Sequence, residues 1–197
     1  MKTDKPSTKI IAGKYKGKVL ELPSLDVTRS SKSMLKESLF NVLQFDIIDK
    51  IFIESFAGSG SIGLEAISRG AKRAYFIELD RNSYQILLKN CKSVDMEKCQ
   101  TVQGNTFVQT PLFIDFLKNS QDEIVLYVDP PFDYRDGMED VYRKSFSMIE
   151  NIESDNIFLI VVEHVSTLEI PITLGKFSLD KTRKFGKSAL SYYKYTK

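Results

Sequence analysis

From Lys50 onward the chain alternates two kinds of segment, and that alternation sharply limits the folds open to it. Short apolar runs at Ile51–Glu54, Ala74–Glu78, Thr101–Gln103, Ile124–Val128 and Ile157–Glu163 read as strands. Between them Ser61–Ser68, Arg81–Val94, Phe107–Lys118 and Asp136–Ile149 read as helices. Strands that alternate with helices predict a parallel sheet covered on both faces. Two further strands, around Lys176–Thr182 and Ala189–Tyr195, are separated by Phe185-Gly186-Lys187. A turn with no helix predicts an antiparallel hairpin that closes the sheet.

The residues before Lys50 follow another pattern. Ile10–Leu22 reads as a hairpin, with Lys9–Ala12 and Lys18–Pro23 flanking the turn Gly13–Gly17. Ser31 or Ser33 can cap a helix with Met34, Leu35, Leu39, Val42 and Leu43 on one face. The expected organisation is a small basic N-terminal extension over 1–45 and a main domain over 46–197.

Composition excludes several classes. At 197 residues with 42% hydrophobic and 27% charged residues, the chain has the profile of one soluble globular domain. Its longest unbroken aliphatic and aromatic run, Ile157–Val162, is far too short to span a bilayer. Met1–Pro6 leads into no apolar segment, so no signal peptide is expected. Cys91 and Cys99 form no CxxC pair, which argues against a disulfide scaffold or a zinc site and for a reducing, cytoplasmic setting. With His164 as the lone histidine, catalysis must rest on carboxylates, backbone groups or a reactive cofactor. No metal is expected. No heptad or apolar patch argues for a dimer, so a monomer is expected.

Charge is unevenly spread. Residues 1–36 carry nine basic and three acidic side chains, and residues 176–197 carry seven and one, which is +6 at each end. The body between them is at −10, because the whole chain is at +2. Basic ends of this kind suit a polyanion, although lysine-rich termini are also ordinary solvated surface.

Two motifs carry chemistry. Gly58, Gly60 and Gly63 form G-x-G-x-x-G between the first strand and a helix, and Glu78 ends the next strand. Such a loop lets an anionic or nucleoside ligand approach the backbone, and the acid accepts bonds from ribose hydroxyls. The alternative is that the glycines only permit tight strand-to-helix packing. The fourth strand runs into Asp129-Pro130-Pro131-Phe132. The prolines remove two N–H donors, leaving the Asp129 carboxylate and the Pro130 carbonyl as acceptors. Two acceptors can hold the hydrogens of an exocyclic amine on an unpaired or flipped base, and Phe132 can stack on it. A plain Asp-Pro turn is the structural alternative.

The glycine loop with Glu78 resembles the class I S-adenosylmethionine-dependent methyltransferases, and Asp129–Phe132 resembles their [DN]-P-P-[FY] signature for methylation of nucleobase amines. Ile10–Lys18, Thr28-Arg29, Lys36–Leu43, Phe56–Ala71 and Lys184–Tyr192 together resemble the bacterial 16S ribosomal RNA guanine-N2 methyltransferases over nearly the whole chain. The resemblance implies a Rossmann-like class I methyltransferase sheet, mostly parallel, with a C-terminal antiparallel hairpin and a small N-terminal hairpin and helix extension. It implies S-adenosyl-L-methionine as cofactor and ribosomal RNA, or a small-subunit assembly particle, as partner. Glu54, Phe56, Ala57, Gly58, Ser59 and Gly60 would line the methionine end, Glu78 the ribose, and Asn105 and Thr106 the adenine. Asp129 and Pro130 would hold the target amine, with Pro131 shaping the turn and Phe132 stacking on guanine. Lys14, Lys16, Lys18, Arg29, Arg183, Lys184 and Lys187 are candidates for phosphate contacts. The chain departs from the family pattern at Glu54, where Asp is usual, at Ser30-Ser31 for Pro-Thr, and at Asn105 for Asp.

Three other functions compete. An adenine-N6 methyltransferase uses the same tetrapeptide. A dinucleotide-dependent oxidoreductase uses Gly58, Gly60, Gly63 and Glu78 but leaves Asp129–Phe132 without a role. A non-catalytic RNA-binding module keeps only the fold. His164 reads as a satisfied structural histidine, Cys91 and Cys99 as inert, and Tyr15 as packing within its hairpin rather than stacking on a base.

Overall fold

The computed structural model describes residues 6–23, 29–131 and 139–196, except for the side chains of 29–32 and 139. The main sheet has eight strands. Five are parallel: β3 (Ile51–Ser55), β4 (Arg73–Glu78), β5 (Cys99–Gln103), β6 (Ile124–Val128) and β7 (Ile157–Val165). Three more, β8 (Thr173–Leu174), β9 (Phe177–Phe185) and β10 (Ser188–Tyr195), extend the sheet antiparallel beyond β7. The spatial order is β5-β4-β3-β6-β7-β10-β9-β8. The order reverses between β3 and β6, and such a switch point opens a crevice at the carboxyl ends of the strands. The parallel body and the antiparallel hairpin both match the expected α/β fold. The short edge strand β8 had no signal in the sequence.

The crossover helices are α2 (Ser61–Ser68), α3 (Arg81–Val94), α4 (Thr106–Leu117) and α5 (Glu139–Glu150). Each starts at the carboxyl edge of the sheet and returns the chain to the amino edge, as right-handed parallel connections require. Strands buried on both faces explain the unbroken apolar runs: every residue of β3 and of β6 is buried. One face packs Phe52, Phe76, Val125, Tyr127 and Val161 under α1 (Arg29–Leu43), α2 and α3. The other packs Ile53, Ile77, Leu126, Ile160 and Val162 under α4 and α5. No described helix is long and apolar enough to cross a membrane.

The N-terminal residues join this core. Leu35, Leu39, Phe40 and Leu43 of α1 are buried against the sheet, each contributing about 2 kcal/mol by the area removed from water. The expected apolar face is rotated at one position. Met34 is 55% exposed, whereas Lys36 is 2% exposed, with Nζ donating to the Lys9 carbonyl at 2.8 Å and lying 3.6 Å from Glu65. The hairpin strands are also shorter than expected: β1 (Ser7–Lys9) pairs β2 (Val19–Glu21). The regular ladder ends at Lys9, with Ile10 N–H still donating to the Lys18 carbonyl at 3.0 Å and the Ile10 carbonyl accepting from Gly17 N–H at 2.9 Å. Beyond it the N–H groups of Ile11 and Ala12 turn to the Glu65 carboxylate, at 2.7 and 3.0 Å. α1 already includes Arg29, so its cap is neither Ser31 nor Ser33. The first residues of the expected Asp136–Ile149 helix lie outside the described residues.

Candidate active site

The glycine loop leaves β3 at the carboxyl edge beside the switch point. Phe56 has φ 63°, a left-handed conformation that costs a non-glycine residue of order 1 kcal/mol or more and persists only where its surroundings impose it. The loop is held by Ala57 N–H to the Ile77 carbonyl at 2.8 Å, Gly58 N–H to Glu78 Oε2 at 2.6 Å, and Gly60 N–H to the Ala57 carbonyl at 2.7 Å. Gly63, already inside α2, answers to packing. A Cβ there would lie 2.4 Å from Phe76 Cε1 and 2.9 Å from Glu54 Oε2.

The two acids divide the work. Glu54 is 3% exposed and accepts from Ile62 N–H at 3.4 Å and Gly63 N–H at 2.7 Å. It therefore braces the start of α2 from beneath, where the helix dipole favours an anion. Glu78 is half-buried, with Oε2 on Gly58 N–H and Oε1 on Asp80 N–H at 2.7 Å. A carboxylate has about four acceptor positions, so two bonds leave room for a diol. Next to it stands Leu79, 66% exposed, an apolar surface at the end of β4 that sequence reasoning missed. Its only sequence signal is a large aliphatic residue between the strand acid and the α3 cap Asp80.

Asn105 caps α4, its Oδ1 accepting from Phe107 N–H at 2.9 Å. The oxygen assigned to adenine by resemblance thus already serves the helix, and Asn105 is exposed. Thr106 is buried. Phe107, also missed, sets its ring edge-on to Phe56 with centroids 5.7 Å apart. In the sequence it looks like any helical core residue. A groove of 880 Å³ between α4 and α5 reaches Asn105 and Phe107 but none of the loop, Glu78 or Asp129.

Asp129 continues β6 beyond Val128, directly across the switch point. Its N–H donates to the Ser55 carbonyl at 3.3 Å, which ties the tetrapeptide to the strand that feeds the glycine loop. Asp129 is half-buried, Pro130 buried and Pro131 exposed, while Phe132 lies outside the described residues. Below them the Tyr127 hydroxyl donates to Glu163. Burial first, then the charges of Glu163 and Asp129, push the Tyr127 phenol up, so it stays neutral beneath the site.

The basic candidates fall at two places. β10 pairs Ser188 with Val165 and Leu190 with Glu163, and β9 pairs Arg183 with Leu190. This register brings exposed Arg183, Lys184 and Lys187 to the carboxyl end of β7, on the edge that carries Asp129. Ser166 fastens the turn there, its N–H on the Lys187 carbonyl and its hydroxyl on the Gly186 carbonyl, both at 2.8 Å. Arg29 opens α1, and its side chain lies outside the described residues. Lys14, Lys16 and Lys18 are exposed at the hairpin turn, and that turn sits at the far end of α2. Lys14 N–H donates to the Ser68 carbonyl at 2.7 Å, and Tyr15 hydroxyl to Asp95 at 2.7 Å. Tyr15 thus packs, but against the core and the end of α3 instead of within its hairpin.

His164 bonds the Val165 carbonyl through Nδ1 and Ser191 Oγ through Nε2, at 2.9 and 2.7 Å, and burial lowers its pKa. It is a structural, neutral imidazole. Cys91 and Cys99 are free and buried, and Cys99 together with burial pushes the Cys91 thiol up, which leaves no ready thiolate. Among the described residues no cluster of three or more His, Cys, Asp or Glu side chains is placed to hold a metal.

A family model described as "Conserved hypothetical protein 95" matches residues 8–194. The "Ribosomal RNA small subunit methyltransferase D" of Escherichia coli strain K12 is 31% identical over 187 residues, covering 94% of this chain and 88% of its own. The protein of the same name from Haemophilus influenzae is 38% identical over 133 residues, or 66% of each chain. A solved structure described as a putative methyltransferase from Escherichia coli superposes with a TM-score of 0.73 at 31% identity, covering 96% of this chain and 98% of that one.

Proposed function

Because the chain belongs to the family described as "Conserved hypothetical protein 95", relatives of which are named as small-subunit ribosomal RNA methyltransferases, we propose that it methylates the exocyclic N2 amine of a guanine in 16S ribosomal RNA. One observation carries this reading: the Asp129-Pro130 acceptors and the glycine loop leave adjacent strands at the switch point, tied by Asp129 N–H to the Ser55 carbonyl.

The residues present fit S-adenosyl-L-methionine. The bent Phe56–Gly60 backbone takes the amino-acid end, Glu78 the ribose, and exposed Leu79 with Phe107 and Asn105 the adenine. When bound, that cofactor supplies an electrophilic methyl group. Glu54 braces the start of α2, into which the loop runs. Asp129 and the Pro130 carbonyl accept the two amine hydrogens and turn the nitrogen lone pair outward. Phe132 stacks on the base. Most of the acceleration comes from orientation, with no strong base needed. Arg183, Lys184 and Lys187 take phosphates beside the site and Arg29 takes one from α1, while Lys14, Lys16 and Lys18 reach RNA only farther away. Residues 1–45 serve as the RNA-facing extension and 46–197 as the methyltransferase domain.

The test is transfer of label from S-adenosylmethionine to small subunits taken from cells lacking the protein, followed by digestion to nucleosides. N2-methylguanosine is expected, with Asp129→Ala lowering kcat at least about a hundredfold while cofactor binding persists. N6-methyladenosine would move the reading to adenine. No transfer to subunits or their precursors, despite cofactor binding, would end it.

A further inference from the structure

Asn90 stands on α3, outside the glycine loop, and is 3% exposed. Its Oδ1 accepts from Glu21 N–H, and its Nδ2 donates to the carbonyls of Glu21 and Ser59, all at 2.9 Å. The Glu21 bonds grip both polar groups of one β2 residue, as a neighbouring strand would. The third reaches the glycine loop. One helical turn earlier, Leu87 packs on the same loop, so that a Cβ at Gly60 would lie 2.4 Å from its Cδ1. The Ser59–Gly60 peptide is therefore pinned on both sides, its carbonyl by Asn90 and its N–H by the Ala57 carbonyl at 2.7 Å. A peptide is planar, so fixing its carbonyl fixes the direction in which the chain enters α2.

We infer that Asn90 is a positioning residue for the methyl donor: it sets the backbone of the glycine loop and locks that loop to β2 of the N-terminal extension. The inference rests on the function proposed above. Three of the four hydrogen-bonding positions of this amide are matched to backbone groups on two segments far apart in sequence. A side chain that merely filled space would not need that match. Leucine at this position keeps the volume but leaves a buried N–H and two buried carbonyls without partners.

The experiment measures S-adenosylmethionine affinity by calorimetry, together with kcat and KM, for wild type, Asn90→Leu, Asn90→Asp and Cys91→Ala, each verified as folded by circular dichroism. Cys91→Ala is the control: it is buried on the same helix, and its thiol interacts with Cys99 and not with the Ser59 carbonyl. Asn90→Leu is expected to weaken the cofactor about tenfold, raising its KM in proportion and leaving kcat at saturating cofactor within about twofold. Asn90→Asp keeps the acceptor for Glu21 N–H but turns an oxygen toward two carbonyls, so it also weakens the cofactor and carries the test if the leucine variant does not fold. Cys91→Ala lowers Tm and leaves affinity unchanged. Wild-type affinity in a folded Asn90 variant, or an equal loss in Cys91→Ala, overturns the inference. A wild-type protein that does not bind S-adenosylmethionine overturns the proposed function itself, which the variant series would show at its first measurement.

Discussion

The chain has two basic ends of equal charge, and the fold treats them differently. The C-terminal end is carried by β9 and β10 to the edge where Asp129 and the glycine loop lie. The N-terminal hairpin turn is carried to the other edge, at the end of α2. Seven steps of 1.5 Å rise separate Ser61 from Ser68 along α2, so the turn lies on the order of 10 Å below the loop. Charge within roughly a Debye length of a reacting base orients it, whereas charge beyond that distance only helps to hold a long polyanion. Equal composition therefore does not mean equal contribution.

The mounting of the hairpin gives the largest expected effect. Glu65 is fully buried and accepts from Ile11 and Ala12 N–H and from Arg69 Nε at 2.8 Å, with Lys36 beside it. Glu65→Ala strands the Lys36 ammonium in the core and should cost about 3–5 kcal/mol in urea unfolding. Burial already lowers the Lys36 pKa, and Glu65 is the main influence that opposes it. A loss below about 1 kcal/mol would mean that the hairpin is not held through this carboxylate and that the edge assignment of its lysines needs revision.

Removing charge tests the comparison directly. Arg183, Lys184 and Lys187 changed together to Ala should lower affinity for a short RNA around the target about a hundredfold at low salt and flatten the salt slope by about two to three units. The same change at Lys14, Lys16 and Lys18 should lower it less than about threefold for that RNA, and more for a long or assembled substrate. Filter binding across salt concentrations reads both. Equal losses on the short RNA would erase the distinction between the edges.

Much of this was legible in the chain. Strand and helix alternation, the C-terminal hairpin and the glycine loop follow from local pattern, because burial on both faces and tight turns leave marks in a few adjacent residues. Placement was not legible. That Arg183 lies level with Glu163 depends on the β10–β7 and β10–β9 registers, which no local pattern encodes. The pairing of Lys36 with Glu65 left no local mark because it spans separate helices, with Lys9 joining from a third segment. Asn105 shows the opposite problem: its capping bond to Phe107 is local, yet family resemblance drew attention to adenine first.

The smallest effect concerns what holds the C-terminal end in place. His164 joins β7 to β10 through Ser191, and burial, opposed by the Val165 carbonyl and aided by Lys184, lowers its pKa. In the unfolded chain its pKa is ordinary, near 6.5. Between the lowered folded value and that ordinary value, the unfolded chain binds more protons than the folded one. Stability from neutral His164 is thus fully present above about pH 6.5 and is lost as pH falls below it. Urea midpoints from pH 8 to pH 5 should fall on the acid side in wild type, and less in His164→Gln, whose amide does not titrate. If the two curves run parallel, His164 does not hold the C-terminal strands by staying neutral. The hairpin end should show no such dependence on His164, since Glu65 and Lys36 form its anchor. Cross-linking or hydrogen exchange confined to β9 and β10 would therefore report the acid loosening at one basic end and not at the other.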